Sequence, residues 1–163
     1  MLFHSRYDSS NEVNECSQIY GIRPCTSASD PRRPGRKCDC CDLLEVCQEF
    51  KFNNCDVPFE IRSVFTCETR SCLYALTCDG CGDNYIGKTD RTVRQRIGEH
   101  RRAIESGQFK LGVHKHIAEC GGGVFSVAPF YKIKSLERGP TLTLAWEDFY
   151  IGKMKPRLNS LKL

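Results

Sequence analysis

Apolar and polar positions change period several times along the chain, and each change marks an element. Cys72-Leu73-Tyr74-Ala75-Leu76-Thr77 is a continuous, strand-like apolar run. Asp79-Gly80 follows as a turn signal and Asn84-Tyr85-Ile86-Gly87 returns, which predicts a β-hairpin over 72–88. The period then becomes helical: Val93, Ile97 and Ile104 share a face that should meet a core, with Asp90 as the expected N-cap. Arg96 and His100, four apart, lie on a neighbouring face. A second helix is expected from Leu111 to Glu119, stopped by Gly121-Gly122-Gly123. Val124 to Ile133 reads as a strand in which Pro129 marks an edge or a bulge. A last helix should start near Pro140-Thr141 and reach about Lys153, ahead of Pro156, with Leu144, Glu147 and Ile151 aligned on one face.

Hairpin, helix, helix, strand, helix is an α+β order. It predicts a small, mostly antiparallel three-stranded sheet flanked by helices, preceded by a cysteine-rich extension. Three segments follow: 1–37, polar and without apolar period, a disordered or linker stretch; 38–71, cysteine-rich; and 72–160, the main domain. The middle segment has too few apolar residues for a core of its own, so a metal staple would explain its folding.

Composition adds two constraints. With 163 residues and 40% hydrophobic content, one domain with a modest core is expected. No apolar run reaches the roughly 20 residues of a membrane span. Arg6, Asp8, Glu12 and Glu15 also interrupt any signal-peptide core, so an intracellular protein is expected. Net charge is only +4, but residues 88–102 concentrate Lys88, Arg91, Arg94, Arg96, Arg101 and Arg102. That stripe is either a phosphate-docking surface or a solvated helix face.

All of the 12 cysteines except Cys16 and Cys120 fall between Cys25 and Cys81. Without export they stay reduced, and clustered thiols more often hold Zn2+ than form disulfides. Cys38 with Cys41, and Cys78 with Cys81, are two Cys-x-x-Cys pairs able to form one shared four-thiolate site or to act apart. Cys40, Cys47, Cys55, Cys67 and Cys72 are alternative ligands, and inert buried thiols are the competing reading. His114 and His116 form a further pair able to touch DNA or metal.

Over residues 72–160 the chain resembles the GIY-YIG endonuclease superfamily. The first motif stands as Cys72-Leu73-Tyr74, with the tyrosine kept, and the second is intact as Tyr85-Ile86-Gly87 followed by Lys88-Thr89. Arg96 matches the family arginine, one residue further from the second motif than in many members. His100, Glu147 and Asn159 match the helix histidine, the metal-binding glutamate and the late asparagine. Within the superfamily the chain is similar to the endonuclease domain of Penelope-like retroelements. Phe65-Thr66-Cys67, Cys78-Asp79-Gly80-Cys81-Gly82 and the cysteine-rich stretch upstream carry that likeness.

The resemblance implies a DNA endonuclease that nicks phosphodiester bonds with Mg2+ or Mn2+ in the nucleus, joined in a longer parent chain to a reverse-transcriptase domain. It implies Tyr74 as general base, Tyr85 as its helper, Arg96 as phosphate clamp and Glu147 as the ligand of the divalent ion. A free tyrosine is a poor base at neutral pH, so Arg96, Lys88 and the metal are expected to stabilise its phenolate. His100 is a proton shuttle, a phosphate hydrogen-bonder or a structural residue. Lys88, Arg94, Arg101 and Asn159 are candidate substrate contacts, Asn159 with the alternative of fixing the loop after the last helix. A structure-selective repair or recombination nuclease, and an inactive zinc-stapled nucleic-acid-binding module, are the competing functions.

Overall fold

The computed structural model describes residues 20–25, 38–134 and 139–163. Its centre is an antiparallel three-stranded sheet made by β5 (Arg70–Cys78), β6 (Asn84–Thr92) and β7 (Phe125–Lys132), with β5 in the middle. The hairpin therefore extends beyond its predicted ends on both strands. Cys72 through Leu76 are buried, which explains why this strand reads as a continuous apolar run. Register pairs Tyr74 with Gly87 on one side and with Pro129 on the other. Pro129 sits on the edge strand beside a register shift, so it removes no ladder bond from the sheet interior.

Helix α1 (Val93–Glu105) starts on a capping box: the Thr92 hydroxyl accepts from the Gln95 N–H, and the Gln95 side chain returns to the Thr92 N–H. Asp90 is thus not the N-cap; it still belongs to β6. Val93, Ile97, His100 and Ile104 form the buried face of α1. Helix α2 (Gly112–Cys120) and helix α3 (Pro140–Met154) end at Gly121 and at Lys155, the latter in the left-handed conformation. A 3-10 turn, Arg157–Ser160, closes the domain against β6.

On α3 the buried stripe runs Thr143, Tyr150 and Met154, with Trp146, Glu147 and Ile151 half-buried between them. This is the i, i+3, i+4, i+7 pattern of a helix with one face on a core. Leu144, expected on that face, is exposed instead, and Thr143 takes the buried position in that turn.

The cysteine-rich segment shares the core of the main domain. Short pairs β1 (Gly21–Ile22) with β4 (Val64–Phe65) and β2 (Glu49–Phe50) with β3 (Phe59–Glu60) frame it. Phe52 and Phe59 stack edge-on against Phe130 of β7 at 5.4 and 5.3 Å, and Phe59 meets Tyr150 of α3 at 6.0 Å. Leu44 also bridges to Val127, covering part of the open edge of β7. Of the stretch read as a linker, residues 20–25 belong to this unit, and the rest of 1–37 lies outside the described residues. No helix among the described residues is long and apolar enough to cross a membrane.

Candidate functional site

Tyr74 projects from the central strand into a polar cluster built by α1. Its hydroxyl oxygen accepts a hydrogen bond from Arg96 Nε at 2.8 Å and lies 2.7 Å from His100 Nε2. The spacing of four places Arg96 and His100 one helical turn apart, so both reach the same oxygen. Gly87 is the reason the ring fits. A Cβ there would stand 2.6 Å from the Tyr74 hydroxyl and 2.8 Å from Tyr85 Cε1, so only glycine lets both tyrosines occupy this part of the sheet.

Glu147 approaches from α3. Its carboxylate accepts from the Lys88 backbone N–H and lies within the fields of Lys88, Arg96, Tyr74 and Tyr85. A hairpin, a helix and a second helix far away in sequence thus converge on one spot. Burial raises the Tyr74 phenol above its usual range, and the Arg96 charge offsets only part of the effect. Tyr85 is raised for the same reason, with Glu147 adding repulsion. Glu147 itself is raised by burial despite Lys88 and Arg96. Arg96, Lys88 and a bound metal were together expected to stabilise a Tyr74 phenolate; burial outweighs the part that Arg96 contributes.

Burial and the Arg96 charge lower the pKa of His100, whose ring is almost fully enclosed. Both ring nitrogens face protein partners, Tyr74 on one side and His114 Nε2 at 2.9 Å on the other. That leaves no nitrogen for a phosphate. Asn159 is likewise committed: its side chain accepts from Ile86 N at 2.7 Å and donates to Ile86 O at 2.8 Å. It pins the 3-10 turn to β6, the loop-fixing alternative. Arg94 and Arg101 turn away from the cluster. Arg94 donates to Cys67 Sγ at 3.4 Å and pairs with Glu68, and Arg101 donates to the Asp39 carbonyl at 2.6 Å. Both bind the cysteine-rich segment to α1.

Beside the cluster an open cleft of about 620 Å³ is lined by Arg91, Arg96, Arg102, Lys110 and His114, with Glu99 as its one acid. Glu99 bridges Arg91 and Arg96, which leaves the cleft basic.

Two ligand groups are present among the described residues: Cys25, Cys38, Cys41 and Cys67, and Cys78, Cys81, His116 and Cys120. Either could hold a metal ion such as zinc. Ligands about 2.3 Å from a tetrahedral centre stand ~3.8 Å apart. Cys38 and Cys67 sulfurs are 3.6 Å apart, Cys25 and Cys41 3.4 Å, and Cys81 Sγ to His116 Nε2 is 3.3 Å. No disulfide joins the cysteines among the described residues. Burial and the sulfurs of Cys78 and Cys120 push the Cys81 thiol up to about 11, a penalty that a bound cation reverses by taking the thiolate.

The two Cys-x-x-Cys pairs do not share a site. Cys67 precedes β5 and Cys78 ends it, and eight steps along a strand span roughly 26 Å. Cys25 and Cys120 carry no local spacing signal. Of the second group, Cys78, Cys81 and His116 were candidate ligands in the sequence and only Cys120 was not. Both groups contain only cysteine and histidine, and among the described residues no multi-carboxylate cage stands beside Glu147.

No family model, no curated protein and no solved structure matches this chain.

Proposed function

We infer that the chain is a divalent-cation-dependent endonuclease of the GIY-YIG type that nicks DNA, related to the nuclease end of Penelope-like retroelements. The observation that carries this reading is the convergence of a phenol, a guanidinium and a carboxylate from three separate elements at the edge of a basic cleft. Backbone hydrolysis asks for those groups together: a base for water, a clamp for the phosphate and an oxygen ligand for a cation.

In this scheme Arg96 holds the scissile phosphate through guanidinium nitrogens left beside its Tyr74 and Glu99 bonds. Tyr74, as phenolate, takes the proton of the attacking water as the new oxygen–phosphorus bond forms and the bond from phosphorus to the 3′ oxygen breaks; the 3′ oxygen takes a proton from solvent water and leaves as a hydroxyl. Tyr85 orients the water. Glu147 would hold Mg2+ or Mn2+, and such an ion supplies compensation for charge on the phosphate and for the phenolate. Because Arg96 alone does not overcome the burial of Tyr74, base strength depends on that ion. In the retroelement setting the exposed 3′ hydroxyl would prime a reverse transcriptase carried on a longer chain, in the nucleus.

The altered first motif is no objection to catalysis. Cys72 and Leu73 are fully buried in the sheet, so the substitution changes core packing and not the cleft. Supercoiled plasmid with Mg2+ tests the reading. Wild type should relax it, whereas Arg96→Ala and Glu147→Ala should each lose at least about 100-fold in rate. DNA binding without nicking by folded wild-type protein would instead establish an inactive zinc-stapled binding module.

A further inference from the structure

A single run of hydrogen bonds links α2 to the candidate base, and its direction can be read from one end. It begins at the backbone N–H of Lys110, which lies 3.4 Å from His114 Nδ1. A backbone N–H only donates, so His114 Nδ1 is an acceptor and bears no proton. The ring's proton is then on Nε2, which faces His100 Nδ1 at 2.9 Å. His100 Nδ1 must therefore accept, and the His100 proton sits on Nε2, 2.7 Å from the Tyr74 hydroxyl. Charging His100 would set an Nδ1–H against the His114 Nε2–H, a clash between two buried rings.

We propose that His114 is a positioning residue that, anchored by the Lys110 amide, fixes His100 as a hydrogen-bond donor to Tyr74. The phenol oxygen then receives two donated bonds, from His100 Nε2 and from Arg96 Nε at 2.8 Å. Two consequences follow for the nuclease reading, on which the catalytic part of this inference rests. His100 does not accept the phenol proton, so it is no relay for that proton. The hydroxyl hydrogen is also excluded from both protein partners. When it leaves, the phenolate finds two donors already aimed at it, the arrangement of an oxyanion hole turned towards the enzyme's own base. A partner that sets a histidine tautomer without touching substrate is the role an orienting carboxylate plays in a serine-hydrolase triad.

The test reads tautomers directly. Long-range 1H–15N correlation spectra of the wild-type protein at neutral pH should show both His100 and His114 with the proton on Nε2. A proton on His100 Nδ1, or a charged His100 ring, overturns the proposal whatever the nuclease activity. His114→Leu removes the donor to His100 Nδ1, so His100 should shift towards the Nδ1–H form and plasmid nicking should fall about 10–100-fold. His114→Gln keeps an amide donor near that position and should restore most of both readouts. A folded His114→Leu variant with an unchanged His100 tautomer sinks the idea. Should the leucine variant not fold, the wild-type spectrum alone decides. A chain that nicks no DNA but shows the Nε2–H pattern would defeat the nuclease reading and leave the hydrogen-bond assignment standing.

Discussion

Tyr74 meets three demands that the surrounding residues divide among themselves: room, charge and hydrogen-bond direction. Gly87 supplies the room, and its replacement is the sharpest single-residue test of the site. In Gly87→Ala the new methyl must displace the Tyr74 or the Tyr85 ring, because it would enter within 2.8 Å of both. Nicking should drop about 100-fold, the scale of an ångström's misplacement. Stability should fall by roughly 1–3 kcal/mol, as for other overpacked cores. Plasmid assays alongside urea melts check this, and a fully active variant would show that the tyrosines are not held by that contact. His100 carries a different signature. In the unfolded chain it titrates near 6.5, whereas in the folded protein burial and Arg96 keep it neutral well below that value. The unfolded state thus binds more protons in the window beneath 6.5, so stability must decline as pH falls through it. His114 shifts in the same direction and adds to the slope. In His100→Gln, urea midpoints measured between about pH 7 and 5 should decline less steeply than in wild type; equal slopes would remove His100 from that linkage.

Among the elements, α1 does most to position the chemistry, since it supplies Arg96 and His100 and receives the cysteine-rich segment through Arg94 and Arg101. Where it begins therefore matters. Thr92→Ala should cost about 1 kcal/mol by breaking the capping box, while Asp90→Ala should cost almost nothing; thermal melts of the two variants decide between the caps. Sequence favoured Asp90 because aspartate caps often, but the sheet register keeps β6 extended through Thr92, and tertiary pairing overrode local preference. Element order and type were legible for a local reason: the Asp79-Gly80 turn, the Gly121-Gly122-Gly123 stop and Pro140 act on adjacent residues. The Tyr74, Arg96 and Glu147 positions were legible only through the motif resemblance, since no periodicity separates Arg96 from the arginines around it. Of the face drawn through Leu144, Glu147 and Ile151, the last two are half-buried as expected, while at the start of the helix the buried position is Thr143 and not Leu144. Cys67 and His116 were legible as candidate partners of the two cysteine pairs, whereas Cys25 and Cys120 stayed hidden because they reach those pairs through the fold and not through spacing.

At the scale of the molecule, the two ligand groups stand at opposite ends of β5 and bracket the candidate centre, one tying residues 20–25 and 38–67 to α1, the other tying the hairpin turn to α2. We expect two zinc ions per chain by native mass spectrometry. Their removal with a strong chelator should lower the melting temperature and abolish nicking, since metal binding in such sites is folding energy. A native mass without metal, together with a melt that the chelator leaves unchanged, would assign both groups as inert thiols. The basic cleft makes a separate, quantitative claim about where DNA lies. Arg96 lines both the cleft and the Tyr74 cluster, so on the proposed nuclease reading a strand held at Arg96 would run on past Arg102 and Lys110, both exposed and outside the Arg91–Glu99–Arg96 bridge. Each phosphate they neutralise releases a counterion, and the affinity for duplex DNA then falls with salt by about 0.9 per contact on logarithmic axes. An Arg102→Ala, Lys110→Ala double variant should therefore show a salt slope shallower by roughly 1.8 and weaker binding at low salt. Fluorescence anisotropy across a salt series, in a Glu147→Gln background to prevent cleavage, measures it. Arg101→Ala is the control: its guanidinium is held by the Asp39 carbonyl, away from the cleft, and the slope should stay near the wild-type value. If the control changes the slope as much as the double variant does, DNA crosses the cysteine-rich face instead, and the path through the cleft is wrong.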